Sequence, residues 1–187
     1  TYIERLEKAG FDGVTVTSTD PKLKLAPPDD IVQEKTRISA IHNVATAFHS
    51  VEKSGTFDPE PLQGISENIL QDIIAQQKNL VQLTDIRLHD TYTFAHSVNV
   101  SILSALLGVL LKLPREEQLK LTLGGLLHDI GKVTVPYEIL TKAGHLTDDE
   151  WSVMQGHPEA GRKRLKKMFP NDTLLSTIAL QHHEHID

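Results

Sequence analysis

The chain has 187 residues, a formal net charge of −6 and 39% hydrophobic residues. This length and apolar content fit one domain with a real core plus a fragment of another, and they exclude global disorder. The acidic balance excludes a basic footprint for duplex nucleic acid, and the absence of cysteine excludes disulfides and thiolate metal sites. Any metal must therefore be held by His, Asp and Glu, and ten histidines are many for this length.

Residues 1–29 differ in pattern from the rest of the chain. TYIERLEKAG predicts a short helix ended by Gly10, and GVTVTSTD alternates β-branched residues as a strand does. PKLKLAPPDD is a Pro-rich linker that cannot continue a helix. We interpret residues 1–29 as the tail of an upstream domain and a connector. Because the chain begins at Thr1 rather than Met, we expect it to be a piece of a longer protein.

Residues 30–187 are predicted to form one helical domain. A first helix, followed by Gly55, is indicated by apolar residues at helical spacing: Ile31, Ile38, Ile41, Ala45 and Phe48. A second helix carries one apolar stripe: Leu62, Ile65, Ile69, Ile73, Leu80 and Leu83. This heptad-like stripe is typical either of packing onto the domain or of a signalling helix or dimer seam.

Five further helices are predicted downstream. The third covers about residues 91–111, and its apolar run VSILSALLGVLLKL is too short and too polar for a membrane span. The fourth begins at Pro114, a residue suited to the first helical position. The fifth begins at a capping box of Thr147 and Glu150, the sixth begins at Pro158, and the seventh covers TLLSTIALQHHEH. The predicted fold class is therefore all-α, preceded by a short, partly extended segment.

The stretch LLHDIGK places an imidazole, a carboxylate and a cation close together. His128 and Asp129 are adjacent on the predicted fourth helix and point about 100° apart, because the helix has 3.6 residues per turn. Asp129 has two oxygens and could bridge two cations. The glycine pair at 124–125 leaves room for a ligand or a neighbouring helix, Gly131 is predicted to end the helix, and Lys132 follows as a cation. Such a pair by itself also occurs as polar residues at a helix end.

His96 is a second candidate ligand, on the predicted third helix. Val100, Leu103 and Leu107 lie at helical spacing from it, so we expect His96 to share their apolar face and point inward. A single inward histidine is more often a satisfied core residue than a ligand.

Three more histidines lie at predicted helix ends. His157 stands at a helix start, where capping is the alternative role, and His182 and His183 follow the apolar segment LLSTIAL. A purification tag is rejected because Glu184 and Ile186 interrupt the histidines at the end of an amphipathic helix.

Together, the five histidines and Asp129 could converge, because helical bundles build carboxylate and imidazole metal sites in this way. Without sulfur, these ligands suit Fe, Mn, Zn, Ni or Co. Two metals about 3.5–4 Å apart, bridged by Asp129 and a hydroxide, would suit in-line attack on a phosphodiester.

The ordered motifs HS-x-N-V, LLHDIGK, VP, IL-x-K-x-G-x-L-T, H-P-x-x-G and HHE resemble those of the HD-GYP domain. This domain is a subgroup of the HD metal-dependent phosphohydrolases, and the resemblance covers about residues 90–187. It implies an all-α domain that hydrolyses the bacterial second messenger cyclic di-GMP.

Carried over position by position, the resemblance implies six metal ligands: His96, His128, Asp129, His157, His182 and His183. Asp129 would be the bridging, catalytic ligand. Lys132 matches the family lysine that contacts the scissile phosphate, and Glu184 would orient a neighbouring group. Two divalent transition metals are implied, Fe or Mn first, with Zn, Ni or Co as alternatives.

This chain departs from the family pattern in three respects. Tyr92 stands where some members have a Glu that holds a third metal, so two metals are expected. Asp187 aligns with the first residue of the family's DGxGYP loop, and the Gly-Tyr-Pro is not present. The downstream metal-binding Asp and the nucleotide-gripping residues are not present either, so we expect the domain to be C-terminally incomplete.

The remaining histidines are predicted to be surface or packing residues. They are His42, His49, His89, His145 and His185.

The resulting hypothesis is a metal-dependent cyclic di-GMP phosphodiesterase acting through a metal-bound hydroxide. The alternatives are a degenerate HD-GYP module that binds a nucleotide or a protein without turnover, and an HD phosphohydrolase of another nucleotide. The partners we expect are cyclic di-GMP or a related nucleotide and an upstream regulatory domain, and the chain could also pair as a homodimer. We expect a cytoplasmic protein.

Overall fold

The computed structural model describes residues 31–76 and 93–185, and every regular element within these ranges is a helix. The all-α prediction is therefore confirmed for them. The interpretations of residues 1–29, Leu80, Leu83, His89, Tyr92 and Asp187 fall outside the described residues. The elements are α1 (Glu34–Ser54), α2 (Glu60–Ala75), α3 (Thr93–Leu110), α4 (Arg115–Leu127), a 3-10 helix (Ile130–Thr134), α5 (Tyr137–Leu140), α6 (Asp148–Met154), α7 (His157–Met168) and α8 (Thr173–Gln181).

Helix α1 buries only part of the predicted stripe: Phe48 is buried and Ile41 packs against the core. Ile38 is 60% exposed, and Ala45 is only half-buried. The buried apolar residues are Ala40, Val44, Ala47, Phe48 and Val51. Both stripes have helical spacing, so the neighbouring helices decide which one is covered. Gly55 ends α1 in the left-handed region, as its position after the helix predicts.

Helices α1 and α2 are joined at their ends by a carboxylate. Asp72 of α2 accepts hydrogen bonds from the backbone nitrogen of Gln33, the side-chain amide of Gln33 and the hydroxyl of Thr36. The first of these bonds satisfies a backbone donor at the start of α1 that a helix leaves unpaired. The predicted α2 stripe is confirmed as far as it is described, since Leu62, Ile65, Ile69 and Ile73 are buried.

Helices α3 and α4 approach each other at a glycine. A Cβ atom on Gly125 would lie 2.6 Å from the Cα atom of Ser101, so only glycine fits there. The hydroxyl of Ser101 donates to the carbonyl of Thr122 at 2.7 Å. A Cβ on Gly124 would meet Ile178 of α8 at 2.4 Å. The glycine pair therefore makes room for neighbouring helices. Among the described helices, none is long and apolar enough to cross a bilayer.

Gly131 does not end an α-helix. Helix α4 stops at Leu127, and Gly131 lies inside the following 3-10 helix. A Cβ on Gly131 would lie 1.9 Å from the carbonyl oxygen of His157 and 2.6 Å from the nitrogen of Gly161. The tighter turn lays this segment against the start of α7, and glycine permits the contact.

The last three helices begin close to where the sequence predicts. Thr147 and Glu150 form the capping box of α6, which confirms that prediction. Helix α7 begins at His157, one residue before Pro158. Asp172 caps α8 by accepting from the backbone nitrogen of Leu174. Helix α8 ends at Gln181, so His182, His183 and His185 follow it.

The core lies where α1, α2, α3, α4, α7 and α8 meet. The following large side chains are fully buried in it: Leu62, Ile69, Ile102, Leu126, Leu127, Ile130, Leu165 and Leu175. Helix α4 packs against α2, α3 and α8, and α7 packs against α8 and the 3-10 helix. This packing brings the end of α4, the start of α7 and the end of α8 together at one side of the domain.

Candidate metal centre

Three imidazoles at these helix ends are oriented by backbone carbonyls. His128 follows α4, His157 begins α7 and His182 follows α8. Their Nδ1 atoms bond the carbonyl oxygen three residues earlier, at 2.8, 2.7 and 3.0 Å respectively. A carbonyl oxygen only accepts, so each Nδ1 carries the proton. In the neutral imidazole, each Nε2 therefore presents a lone pair.

The three Nε2 atoms converge on Asp129. The His128 Nε2 lies 3.2 Å from Oδ2 of Asp129, and the Nε2 atoms of His157 and His182 lie 3.4 and 3.5 Å from Oδ1. The Nε2 atoms of His157 and His182 are 3.2 Å apart. Lone pairs and a carboxylate that face one another this closely repel, unless a cation lies between them.

The surroundings of the Asp129 carboxylate indicate a binding site for a cation. Asp129 is 1% exposed, and its Oδ1 is the one buried side-chain N or O atom among the described residues without a hydrogen-bond partner. Burial raises the pKa of the Asp129 carboxyl, but positive charge on the facing imidazoles of His128, His157 and His182, when their Nε2 atoms are protonated, outweighs burial and holds that pKa well below its usual range. A buried, ionised carboxylate with one unpaired oxygen fits a metal ligand.

Asp129 belongs to two candidate ligand sets. In the first set, one ligand atom each from His96, His128 and Asp129 lies within 4.8 Å of the others. In the second set, the same holds for Asp129, His157, His182 and His183. The residues present therefore fit two cations that share the Asp129 carboxylate. The cluster unites all six predicted ligand positions.

His96 contributes to the cluster from the solvent side of the domain. The prediction that His96 shares the buried apolar face of its helix is wrong. Its ring centroid lies 5.3 Å from that of His128, but its side chain is exposed. The predicted neighbours Leu103 and Leu107 are exposed too, at 38% and 54%. Helix α3 instead buries Val98, Ile102, Ala105, Leu106 and Val109.

His183 is the solvent-exposed member of the second ligand set. Its ring centroid lies 4.1 Å from that of His182 and 5.1 Å from that of His157. Partial burial lowers the pKa of the His183 imidazole, and the neighbouring imidazoles of His182 and His157 lower it further. Partial burial and His128 likewise lower the pKa of His96. Both residues therefore favour the neutral form that a metal binds.

Lys132 stands beside the carboxylate, as LLHDIGK predicts. Its Nζ lies 2.7 Å from Oδ2 of Asp129, and its side chain remains partly exposed. The ammonium therefore balances the buried charge and borders the solvent from which a substrate would arrive. Glu184 is exposed and borders a cavity shared with His157 and His183. Its orienting role stays a prediction.

Sequence reasoning missed the backbone parts of the centre. The carbonyls of Gly125, Met154 and Ala179 orient the imidazoles, and the Gly131 contact sets Asp129 against His157. A histidine just beyond a helix end is a usable signal, because its side chain can bond the last carbonyls. The described histidines outside the centre are exposed, as predicted: His42, His49, His145 and His185.

Known proteins share sequence with this chain. The family model of the HD domain matches residues 68–187, so it begins before the first recognisable motif. A cyclic di-GMP phosphodiesterase of Pseudomonas aeruginosa is 33% identical over 144 residues, which cover 77% of this chain and 35% of that protein. The 3′3′-cGAMP-specific phosphodiesterase 1 of Vibrio cholerae is 40% identical over 146 residues, which cover 78% of this chain and 32% of that protein.

A further relative is a cyclic di-GMP phosphodiesterase response regulator of Xanthomonas campestris. It is 35% identical over 103 residues, covering 54% of this chain and 27% of that protein. The chain spans about a third of the length of the first two relatives. No solved structure matches it. Because the HD domain model matches more than half of the chain, the chain belongs to the HD domain family.

Proposed function

We propose that this domain is a metal-dependent phosphodiesterase of cyclic dinucleotides, with cyclic di-GMP as its substrate. The observation that carries the proposal is the buried Asp129 carboxylate, shared by two sets of imidazole ligands, with one oxygen unpaired. Relatives named as phosphodiesterases of cyclic di-GMP and of 3′3′-cGAMP support the substrate class.

Two divalent transition metals, Fe or Mn in our proposal, would be held by His96, His128 and Asp129 on one side and by Asp129, His157, His182 and His183 on the other. When bound, such metals supply Lewis acidity and an activated water. The residues of the chain would position the metals and the substrate. The carbonyl-oriented imidazoles present Nε2 at fixed positions, and Asp129 supplies the shared anion.

Lys132 has a separate role in the proposal. Its ammonium stands 2.7 Å from the carboxylate and is partly exposed, so it is placed to receive a phosphate oxygen that arrives at the centre. A fixed cation aimed at developing negative charge stabilises a transition state more than the ground state.

A second substrate, 3′3′-cGAMP, is favoured by the 40% identity to the Vibrio cholerae enzyme. We also propose that residues 1–29 connect a regulatory domain to a catalytic domain, which starts at residue 30 and continues beyond the end of this chain. The protein is proposed to be cytoplasmic and to pair as a homodimer.

The test is product formation from cyclic di-GMP and 3′3′-cGAMP, followed by chromatography. The full-length protein would be loaded with Mn²⁺ or Fe²⁺ and compared with its Asp129→Ala variant. We expect cleavage by the parent and loss of cleavage in the variant. If a folded, metal-loaded parent cleaves neither dinucleotide, the phosphodiesterase proposal is wrong, and a binding module becomes the better account.

A further inference from the structure

A cavity of about 430 Å³ opens beside the metal centre. It lies between α1, the start of α3, the 3-10 helix and α5. Six side chains define its chemistry: Phe48, His49, Glu52, Phe94, Lys132 and Tyr137. Its volume is in the range of small-molecule sites, and its lining is mostly apolar with a few polar groups, as such sites are.

Lys132 connects this cavity to the metal centre. The same side chain that lines the cavity places its Nζ 2.7 Å from Oδ2 of Asp129. A phosphate bound at the centre would therefore lie at the mouth of the cavity. The cavity therefore offers space for the group attached to that phosphate through its sugar.

The cavity is walled by aromatic rings. Phe48 and Phe94 pack edge to face with ring centroids 5.3 Å apart, which holds this wall in place. Tyr137, the first residue of α5, is 70% exposed, so packing in the core does not account for it. Exposed aromatic faces are platforms on which nucleobases stack.

Glu52 adds a specific acceptor. Among the described residues that line the cavity, Glu52 is the one carboxylate. Guanine presents two donors, N1–H and the N2 amino group, along one edge, and a carboxylate accepts from both. Adenine presents an acceptor at N1, which a carboxylate repels. The cavity therefore suits guanine better than adenine.

We propose that this cavity is the base-binding subsite of the domain, in which a guanine of the cyclic dinucleotide stacks on Tyr137 and pairs with Glu52 while its phosphate lies near Lys132. The inference rests on the proposed phosphodiesterase function and names the base that the site selects. It is compatible with both candidate substrates, because cyclic di-GMP and 3′3′-cGAMP each contain guanine.

The test measures the binding of GMP and AMP by calorimetry, since neither is a phosphodiester and binding is read without turnover. The Mn²⁺-loaded full-length protein would be compared with Tyr137→Ala, Tyr137→Phe and Glu52→Gln. Leu111→Ala is the control, because Leu111 is an exposed apolar residue beyond the far end of α3. All five proteins would also be assayed for cleavage of cyclic di-GMP.

We expect the parent to bind GMP more tightly than AMP. Tyr137→Ala should raise the Kd of both nucleotides by about 10- to 100-fold, since it removes a stacking face. Tyr137→Phe should retain binding. Glu52→Gln should raise the Kd of GMP by about 10-fold and lower that of AMP, because the repulsion between the carboxylate and adenine N1 is removed. In cleavage, Tyr137→Ala should raise KM and leave kcat largely unchanged.

An unchanged GMP affinity in Tyr137→Ala, or no GMP binding by the parent, overturns the subsite. Equal affinity of the parent for GMP and AMP overturns the role of Glu52. Failure of the proposed function looks different: GMP binding would depend on Tyr137, but no cyclic dinucleotide would be cleaved. If cyclic di-GMP is cleaved but nucleotide binding does not depend on Tyr137, the proposed phosphodiesterase function stands and only the proposed base-binding subsite is wrong.

Discussion

At Asp129 the domain keeps a charged group where protein interiors normally exclude one. Burying an ionised carboxylate is costly unless it is paired and hydrogen-bonded. Lys132 pairs with Oδ2, but Oδ1 faces the Nε2 atoms of His157 and His182 without a hydrogen bond. The residues of the centre therefore repel one another electrostatically, and bound cations would remove that repulsion.

Replacing Lys132 by Met should lower kcat without emptying the centre. The ammonium contributes a fixed positive charge to the phosphate, and removing one such group typically costs about 10²- to 10³-fold in kcat. Steady-state kinetics on cyclic di-GMP and metal analysis would be made together. Lys142→Met is the control, because Lys142 pairs with Glu150 on the surface. If the metal is lost along with activity, Lys132 acts by holding Asp129 rather than by contacting the phosphate.

Replacing His96 by Ala should remove about one of two metal equivalents, because His96 belongs to one ligand set only. Its side chain is exposed, so the thermal stability of the metal-free protein should change little. Metal content by mass spectrometry and a melting curve would check both expectations. His42→Ala, also exposed but on α1, should leave the metal content intact. Full occupancy in His96→Ala would remove His96 from the ligand set.

Among the elements, the contact between the 3-10 helix and α7 sets the geometry of the centre. Gly131→Ala would place a Cβ 1.9 Å from the His157 carbonyl oxygen, and a backbone atom does not yield as a side chain does. We expect a loss of about 3 kcal/mol in the free energy of unfolding, at the upper end for overpacking, and weaker metal binding. Urea unfolding and metal titration would measure the two effects.

The matched control for this glycine is Gly64, on the exposed face of α2. A Cβ at Gly64 meets nothing within 4 Å. Gly64→Ala should therefore stabilise the protein by about 0.5–1 kcal/mol, since alanine loses less backbone entropy in a helix. If both substitutions had the same small effect, the close contact at Gly131 would not be a constraint.

The first turn of α7 offers a pH-dependent check on the structure. The Arg162 guanidinium donates two hydrogen bonds of 2.6 Å to the Glu159 carboxylate and lowers its pKa to about 2. Because this carboxyl pKa is lowered in the folded state, the stabilisation by the ion pair is present above pH 4.5, the ordinary carboxyl value, and is lost as pH falls toward 2.

Arg162→Ala should therefore raise the pKa of Glu159 toward its ordinary value of 4.5. A carboxyl-carbon NMR titration would follow it. Arg164→Ala, on the same helix, should leave the Glu159 pKa near that of the parent. A Glu159 pKa near 4.5 in the parent would show that this ion pair does not persist in solution.

For the whole molecule, the metal centre ties together segments far apart in sequence. Its proposed ligands come from α3, the end of α4, the start of α7 and the end of α8. A metal that binds only the folded state stabilises it by about 2.7 kcal/mol at a concentration 100 times the Kd. For a chain of this size we expect a rise in Tm of about 5–10 °C on adding Mn²⁺.

Calorimetry with and without a chelator would measure this rise, and Asp129→Asn should abolish it. The variant removes the charge that both ligand sets share but keeps the shape of the side chain. A Tm that does not respond to any divalent transition metal would contradict the assignment of the cluster as a metal centre.

Much of the fold could be predicted because local chemistry dictates it. The α6 capping box, the left-handed Gly55 and the α2 stripe follow from residue types at fixed spacing. The exposure of Ile38 on α1 and the orientation of His96 could not be predicted in this way. Each helix offers two plausible apolar faces, and packing between helices selects one of them.

By itself, the sequence determined the candidate ligands, the absence of sulfur ligands, the helical class and the HD motifs. Only the tertiary structure decided that six side chains meet, because helix packing controls distances between residues 96 and 183 that spacing along the chain does not. It also decided that Nδ1 of His128, His157 and His182 bonds a carbonyl, so that every Nε2 faces Asp129. Backbone carbonyls orient these imidazoles, and the positions of backbone carbonyls depend on the fold and cannot be predicted from residue types alone.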